Sequence, residues 1–186
     1  MFRSDFLAGL ITSGAAFYAA PSPAPTVNPL ERCDRNYVLP YDQPLEFKHR
    51  ALDAPDVDLQ AYRGNVVLLN FFATWCGPCQ MEAPYLVDAA NTYYERGLRI
   101  VGITSEEQDD AVRKYREKYH LVYPIVVDEG HGLLARVMNN DDITNVEFPV
   151  SLFLNERGEL TCYRKGAMSQ DEVVYKVERM LSFLSS

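Results

Sequence analysis

Hydrophobic positions along this chain fall into blocks whose spacing switches between strand-like and helix-like. The run Val66-Val67-Leu68-Leu69-Asn70-Phe71-Phe72 is apolar almost throughout and β-branched at its start, which predicts a strand buried on both faces. Residues 98–103 and 123–127 repeat that pattern and predict two further strands. Residues 150–154 and 160–163 predict another two, joined at Asn155-Glu156-Arg157-Gly158, a hairpin signal. A weaker alternation at Leu45-Glu46-Phe47-Lys48 predicts a first strand. Helical spacing fills the gaps. Residues 58–64 read as a short helical turn. A helix reaches residue 96 and stops at Gly97, with Pro84 inside it as a candidate kink. Ser105 with Glu106-Glu107-Gln108 predicts a capped start for an amphipathic helix over 109–120. Residues 132–138 predict a short helix. Ser169-Gln170-Asp171-Glu172 opens a last one that runs to about residue 184.

The resulting order, β-α-β-α-β-α-β-β-α, has crossovers early and a hairpin late. It predicts an α/β fold with a mixed central sheet, parallel first and antiparallel at the end, and helices on both faces. Residues 128–145 form a short helical insertion in that scheme. A chain of 186 residues is long enough for one domain with a sizeable core, placed here at 44–186.

The N-terminus departs from this pattern. Arg3 precedes an apolar stretch of small residues from Phe6 to Ala20, then Pro21-Ser22-Pro23-Ala24-Pro25. Residues 1–20 read as a secretory signal or an uncleaved N-terminal anchor, against a disordered or locally packed tail. The stretch is short for a spanning helix, which needs about 20 apolar residues. Residues 21–43 read as a Pro-rich linker. Net charge is −8, from 26 acids and 18 bases. No Lys/Arg cluster stands out, so nucleic acid is not an expected partner.

The chemistry concentrates in Trp75-Cys76-Gly77-Pro78-Cys79, directly after the 66–72 run. Two cysteines separated by two residues at a strand-to-helix junction open and close a disulfide with little backbone movement. The first sulfur sits where unpaired helix N–H groups favour a thiolate, the attacking species in disulfide exchange. The competing readings are a structural disulfide and half of a zinc site. Zinc needs about four ligands, and neither a second C-x-x-C nor His49, His120 or His131 stands at ligand spacing. No metal and no cofactor is expected. Downstream, Phe148-Pro149 precedes the 150–154 run, and an X-Pro bond at a strand entrance is a candidate cis peptide. Cys33 and Cys162 are left over. They either pair, tying the N-terminal extension to the late hairpin, or stand as two separate thiols.

Residues 64–84, from Gly64 through Cys76-Gly77-Pro78-Cys79 to Glu82 and Pro84, resemble the active-site segment of the TlpA/ResA-like branch of the thioredoxin superfamily. Phe148-Pro149 with the following Phe153-Leu154-Asn155-Glu156-Arg157-Gly158-Glu159-Leu160 is similar to that branch's cis-proline strand and hairpin. The resemblance covers roughly residues 44–184. It implies a thioredoxin fold and a monomeric, extracytoplasmic thiol-disulfide oxidoreductase. Such a protein reduces disulfides in partner proteins, apocytochrome c cysteines among them, and is recharged by a membrane thiol-disulfide donor.

On that resemblance Cys76 is the nucleophile and Cys79 resolves the mixed disulfide. Glu82 lies near the cysteines and influences their titration, against the plainer reading of a solvated helix acid. Asn70 stands where thioredoxin itself carries a buried acid. Its amide is no general base, which moves proton handling to Glu82 or water. Trp75, Pro78, Phe148 and Pro149 line the substrate contact, although Trp75 equally suits the core and Phe148 simple packing. Phe148 departs from the small or β-branched residue usual there, which bears on substrate range or potential. Gly77-Pro78 matches thioredoxin's own dipeptide and points to a reductant. Two rivals remain. A thiol peroxidase wants Thr or Ser three residues before its reactive cysteine, where Ala73 stands. A redox-regulated binding module would use the Phe148 edge without turnover.

Overall fold

The apolar run at 66–72 is the centre of the molecule. The computed structural model describes Cys33 and residues 43–105, 108–138 and 146–184. The expected signal or anchor at 1–20, the linker apart from Cys33 and residue 43, and the end of the insertion at 139–145 lie outside the described residues. In chain order the elements are β1 (Lys48–Ala51), β2 (Ala54–Asp58), β3 (Val66–Phe72), α1 (Gly77–Tyr93), β4 (Leu98–Thr104), α2 (Asp109–Tyr119), β5 (Ile125–Val127), α3 (Gly132–Met138), β6 (Val150–Leu154), β7 (Leu160–Lys165) and α4 (Gln170–Leu184). The seven strands form one sheet in the order β2-β1-β5-β4-β3-β6-β7. β3 pairs parallel with β4 and antiparallel with β6. Both of its faces are covered, so every residue of β3 is buried, and the strand has no need of polar alternation.

On one face Leu68 and Phe72 pack with Ala83 and Leu86 of α1, Val112 and Tyr115 of α2, and Val173 and Val177 of α4. On the other, Val67, Leu69 and Phe71 pack with Leu59 of a short helical turn at Leu59–Tyr62, Leu133 of α3, and Leu152 of β6. Helices therefore cover both faces, but unequally. The steps β3-α1-β4 and β4-α2-β5 advance in the same direction across the sheet, and right-handed crossovers then place α1 and α2 on the same side.

Three expectations shift. The first strand is β1, not 45–48, and it forms a hairpin with β2 that the hydrophobic pattern missed. Leu45 and Phe47 do pack on the core, but as a connector: Leu45 donates its N–H to the Gly158 carbonyl at 2.8 Å. β1 and β2 are mostly exposed and sit at the sheet edge, where polar residues and a proline (Pro55 here) are tolerated. Second, α2 is not capped by Ser105. It starts at Asp109 with Gln108 as an N-cap that makes no side-chain bond. Acids at its first turn favour the helix dipole, and Arg50 holds one of them, Asp109, at 3.1 and 3.2 Å. Third, α1 runs unbroken through Pro84. Pro84 is exposed, and its missing N–H leaves the Gln80 carbonyl without that intrahelical donor.

The start of α4 follows the sequence closely. Glu172 donates its N–H to the Ser169 hydroxyl, and Ser169 donates its own to the Glu172 carboxylate, both at 3.2 Å. This is a reciprocal capping box. Ser169→Ala is expected to cost about 1 kcal/mol in urea denaturation, and an unchanged midpoint would show that the cap contributes nothing.

Candidate active site

Ala73, Thr74 and Trp75 carry the chain from β3 into α1, and Cys76 is the N-cap of that helix. Its backbone N–H donates to the Ala73 carbonyl at 3.1 Å. The Gln80 side-chain amide donates to the Thr74 carbonyl at 2.9 Å, pinning the turn from inside the helix. Gly77 and Pro78 fill the first two helical positions, where proline's missing N–H costs no bond. Cys76 and Cys79 are joined by a disulfide with Cα atoms 5.3 Å apart. The Cys76 sulfur also accepts the Cys79 backbone N–H at 3.2 Å. Negative charge placed on that sulfur meets both a donor and the positive end of a helix. Both residues are buried in this oxidised form, Cys76 at 5% exposure and Cys79 at 3%. Helix position, more than exposure, tells the two sulfurs apart.

The register Phe71↔Val150 between β3 and β6 brings the Phe148–Pro149 segment beside the disulfide turn. The Phe148–Pro149 bond is cis, as the sequence suggests. Pro149 itself is buried and Phe148 half-buried. The Trp75 ring meets Phe148 edge-on, centroids 6.4 Å apart. Trp75 is 72% exposed, which removes the core reading. Pro78 is exposed beside it, and Met81 on the next turn is 65% exposed. An apolar exposed surface thus adjoins the sulfurs. A separate cleft of about 460 Å³, lined by Tyr62, Tyr94, Arg99 and Val122 among others, contains none of these residues.

Glu82 is not a solvated acid. It is 1% exposed, one helical turn after Cys79. One carboxylate oxygen accepts the Met168 backbone N–H at 2.9 Å, and the other accepts the Asn70 amide N–H at 3.1 Å. Burial pushes its pKa up to about 7, with the Met168 and Asn70 bonds and the Arg164 charge pulling the other way. Asn70 also donates to the Ser151 hydroxyl at 3.1 Å. Sequence reasoning noticed Asn70 but missed Ser151, Arg164 and the Met168 N–H. Ser151, a lone hydroxyl inside an apolar strand run, was the available signal.

Cys33 and Cys162 form a second disulfide, Cα atoms 5.3 Å apart, which closes the question their spacing left open. The buried Lys176 ammonium lies 4.0 Å from the Cys162 sulfur.

A family model described as the AhpC/TSA family matches residues 41–162. The chain belongs to that family. Within the AhpC/TSA family it is similar to the thiol-disulfide oxidoreductase ResA of Halalkalibacterium halodurans, at 28% identity over 75% of this chain and 76% of the relative. Among solved structures it is similar to a thioredoxin-family thiol:disulfide interchange protein of Chlorobium tepidum, with 28% identity, TM-score 0.66, and 74% and 94% of the two chains covered. It is also similar to a secreted Mycobacterium tuberculosis disulfide oxidoreductase described as homologous to E. coli DsbE. That match has 27% identity, TM-score 0.61, and covers 72% and 96% of the two chains. The thioredoxin-type fold and the ResA-like resemblance of the site segment both stand on these matches. The chain is a thiol-disulfide oxidoreductase of this ResA/DsbE-like type.

Proposed function

We propose that this protein reduces disulfides in partner proteins outside the cytoplasm, using Cys76 and Cys79 as a reversible dithiol. The observation that carries this reading is the Cys76 sulfur at the N-cap of α1, disulfide-bonded to Cys79 and accepting its N–H at 3.2 Å. In the reduced protein the Cys76 thiolate attacks one sulfur of the partner's disulfide. A Cys76–partner bond forms, and the partner's other sulfur leaves as a thiolate that takes a proton from water. The Cys79 thiol then gives its proton to the Glu82 carboxylate and attacks the Cys76 sulfur. The Cys76–Cys79 bond forms, and the partner's second sulfur leaves as a thiolate and is protonated. The dithiol has lost two electrons and the partner has gained two.

The exposed Trp75, Pro78 and Met81 with the half-buried Phe148 suit an apolar stretch beside the partner's cysteine. A membrane thiol-disulfide donor regenerates the dithiol, and apocytochrome c is the partner class favoured by the family resemblance. Export through residues 1–20 is supported by the secreted relative and by the bonded Cys33–Cys162 pair, since such bonds persist in oxidising compartments. The dithiol form is expected to reduce insulin disulfides with one disulfide cleaved per Cys76–Cys79 bond formed. It is expected to consume no hydrogen peroxide faster than free thiol does, because Ala73 supplies no hydroxyl beside Cys76. Peroxide turnover with inert insulin would reverse the assignment.

A further inference from the structure

A buried polar row crosses the sheet beneath the disulfide. Asn70 of β3 stands opposite Ser151 of β6, and Ser151 opposite Arg164 of β7. β3 and β6 are otherwise apolar, and Asn70 and Ser151 are 4% and 1% exposed. Polar groups held this deep cost stability unless each finds a partner. Both hydrogens of the Asn70 amide are used, one on Glu82 and one on Ser151, each at 3.1 Å.

We propose that Asn70 and Ser151 form a bracket that holds the Glu82 carboxyl in one place in both of its protonation states, making them positioning residues for the proton that Cys79 gives up; this rests on the thiol exchange proposed above.

The chemistry of the two side chains carries the argument. An amide has donors on nitrogen and lone pairs on oxygen, and a serine hydroxyl donates or accepts by rotating. With Glu82 ionised, Asn70 donates to both neighbours, as observed. With Glu82 protonated, a half-turn of the amide presents its oxygen, which accepts the acid's O–H while Ser151 donates in turn. Both bonds reverse polarity as the amide nitrogen and oxygen exchange places, while the Glu82 and Ser151 side chains stay where they are. The second carboxyl oxygen stays on the Met168 N–H. That loop is in turn tied to the partner-binding edge, because Gly166 donates its N–H to the Pro149 carbonyl at 2.8 Å. An aspartate at position 70 lacks this versatility. When ionised it only accepts, and two carboxyl groups at this spacing share a proton. Among the described residues, the charged or titratable groups that act on Glu82 or feel its charge include Arg164 on β7, Glu172 on α4, Tyr115 on α2 and Tyr123 before β5. Arg164 is paired with Glu172 at 3.5 Å.

The test follows the Glu82 carboxyl directly, by carbon-13 NMR of oxidised, full-length protein labelled at glutamate Cδ. Glu82→Gln identifies the signal by its loss. In Asn70→Ala the carboxylate loses a donor, so its midpoint is expected to rise by about one pH unit. Ser151→Ala is expected to shift it less, in the same direction, by releasing the amide. Asn70→Asp is expected to split the titration into two separated steps. In the reduced protein the rising, acid-side limb of the pH–rate profile for insulin reduction moves with the midpoint, and Asn70→Ala leaves that profile unmoved once Glu82→Gln is also present. Midpoints unchanged in Asn70→Ala and Ser151→Ala overturn the bracket. If Asn70→Ala does not fold, the isosteric Asn70→Asp and the smaller Ser151→Ala decide alone. The NMR midpoint needs no turnover, so a chain inert toward insulin would sink the function and leave the bracket to be judged separately.

Discussion

Replacing Cys79 with serine is expected to leave a protein that attacks disulfides and cannot release them. In Cys79→Ser the N–H donated to the Cys76 sulfur belongs to the backbone and survives the change, as does the helix end behind it. Cys76 is therefore expected to remain a nucleophile. The sulfur that would displace the partner is gone, so mixed disulfides accumulate and insulin turnover falls on the order of a thousandfold or more. Cys76→Ser loses the same turnover but traps nothing. Non-reducing electrophoresis of intact cells expressing each variant, followed by mass spectrometry of the adducts, reads both outcomes and names the partners. Adducts on Cys76→Ser in place of Cys79→Ser would reverse the two roles. Partner binding that survives unchanged in Cys76→Ser, with no loss of function, would favour the redox-regulated binding module.

Glu82 is expected to make the protein less stable as pH rises, and Glu82→Gln to abolish that dependence. Burial holds its folded-state pKa at about 7 against an ordinary 4.5. Between those values the folded chain binds more protons than the unfolded one, so unfolding releases protons and stability falls with rising pH. The contribution is fully present below the unfolded value, fades as pH passes through 7, and amounts to roughly 3 kcal/mol across the interval. Urea denaturation of the oxidised protein at pH 5 and pH 8 measures it as the change in the gap between wild type and Glu82→Gln. A gap independent of pH would show that Glu82 does not ionise in this window, and with it would go its part in accepting the Cys79 proton. A buried acid that weakens the fold at neutral pH is the kind of feature that proton transfer justifies and packing does not.

Much of this was legible in the chain. β3, β4 and β6 are largely apolar runs bounded by turn residues, and a strand buried on both faces leaves that mark whatever surrounds it, while turn residues at 155–158 marked the late hairpin. Cys76-Gly77-Pro78-Cys79 after β3 marked the strand-to-helix turn and its disulfide, because strand, turn and N-cap are neighbours in sequence. The β1–β2 hairpin was not legible. Its residues are mostly exposed at a sheet edge, where hydrophobic alternation is weak and Pro55 argues against a strand. The start of α2 was misread because Ser105 has the right chemistry for a cap while Gln108 has the right place, and Arg50, more than fifty residues away in the chain, supports the first turn instead.

Local pattern alone determined the order of elements from β3 onward, the Cys76–Cys79 pair and the proline strand, since each depends on neighbours within a few residues. Only the tertiary structure decided what surrounds Glu82. An acid on a helix looks the same whether it faces water or core, and what separates the two cases is a strand residue from each of β3 and β6 and a loop N–H eighty-six residues on. It likewise decided that Cys33 meets Cys162 across 129 residues. Long-range contact sets desolvation, and desolvation sets the chemistry a carboxyl can do.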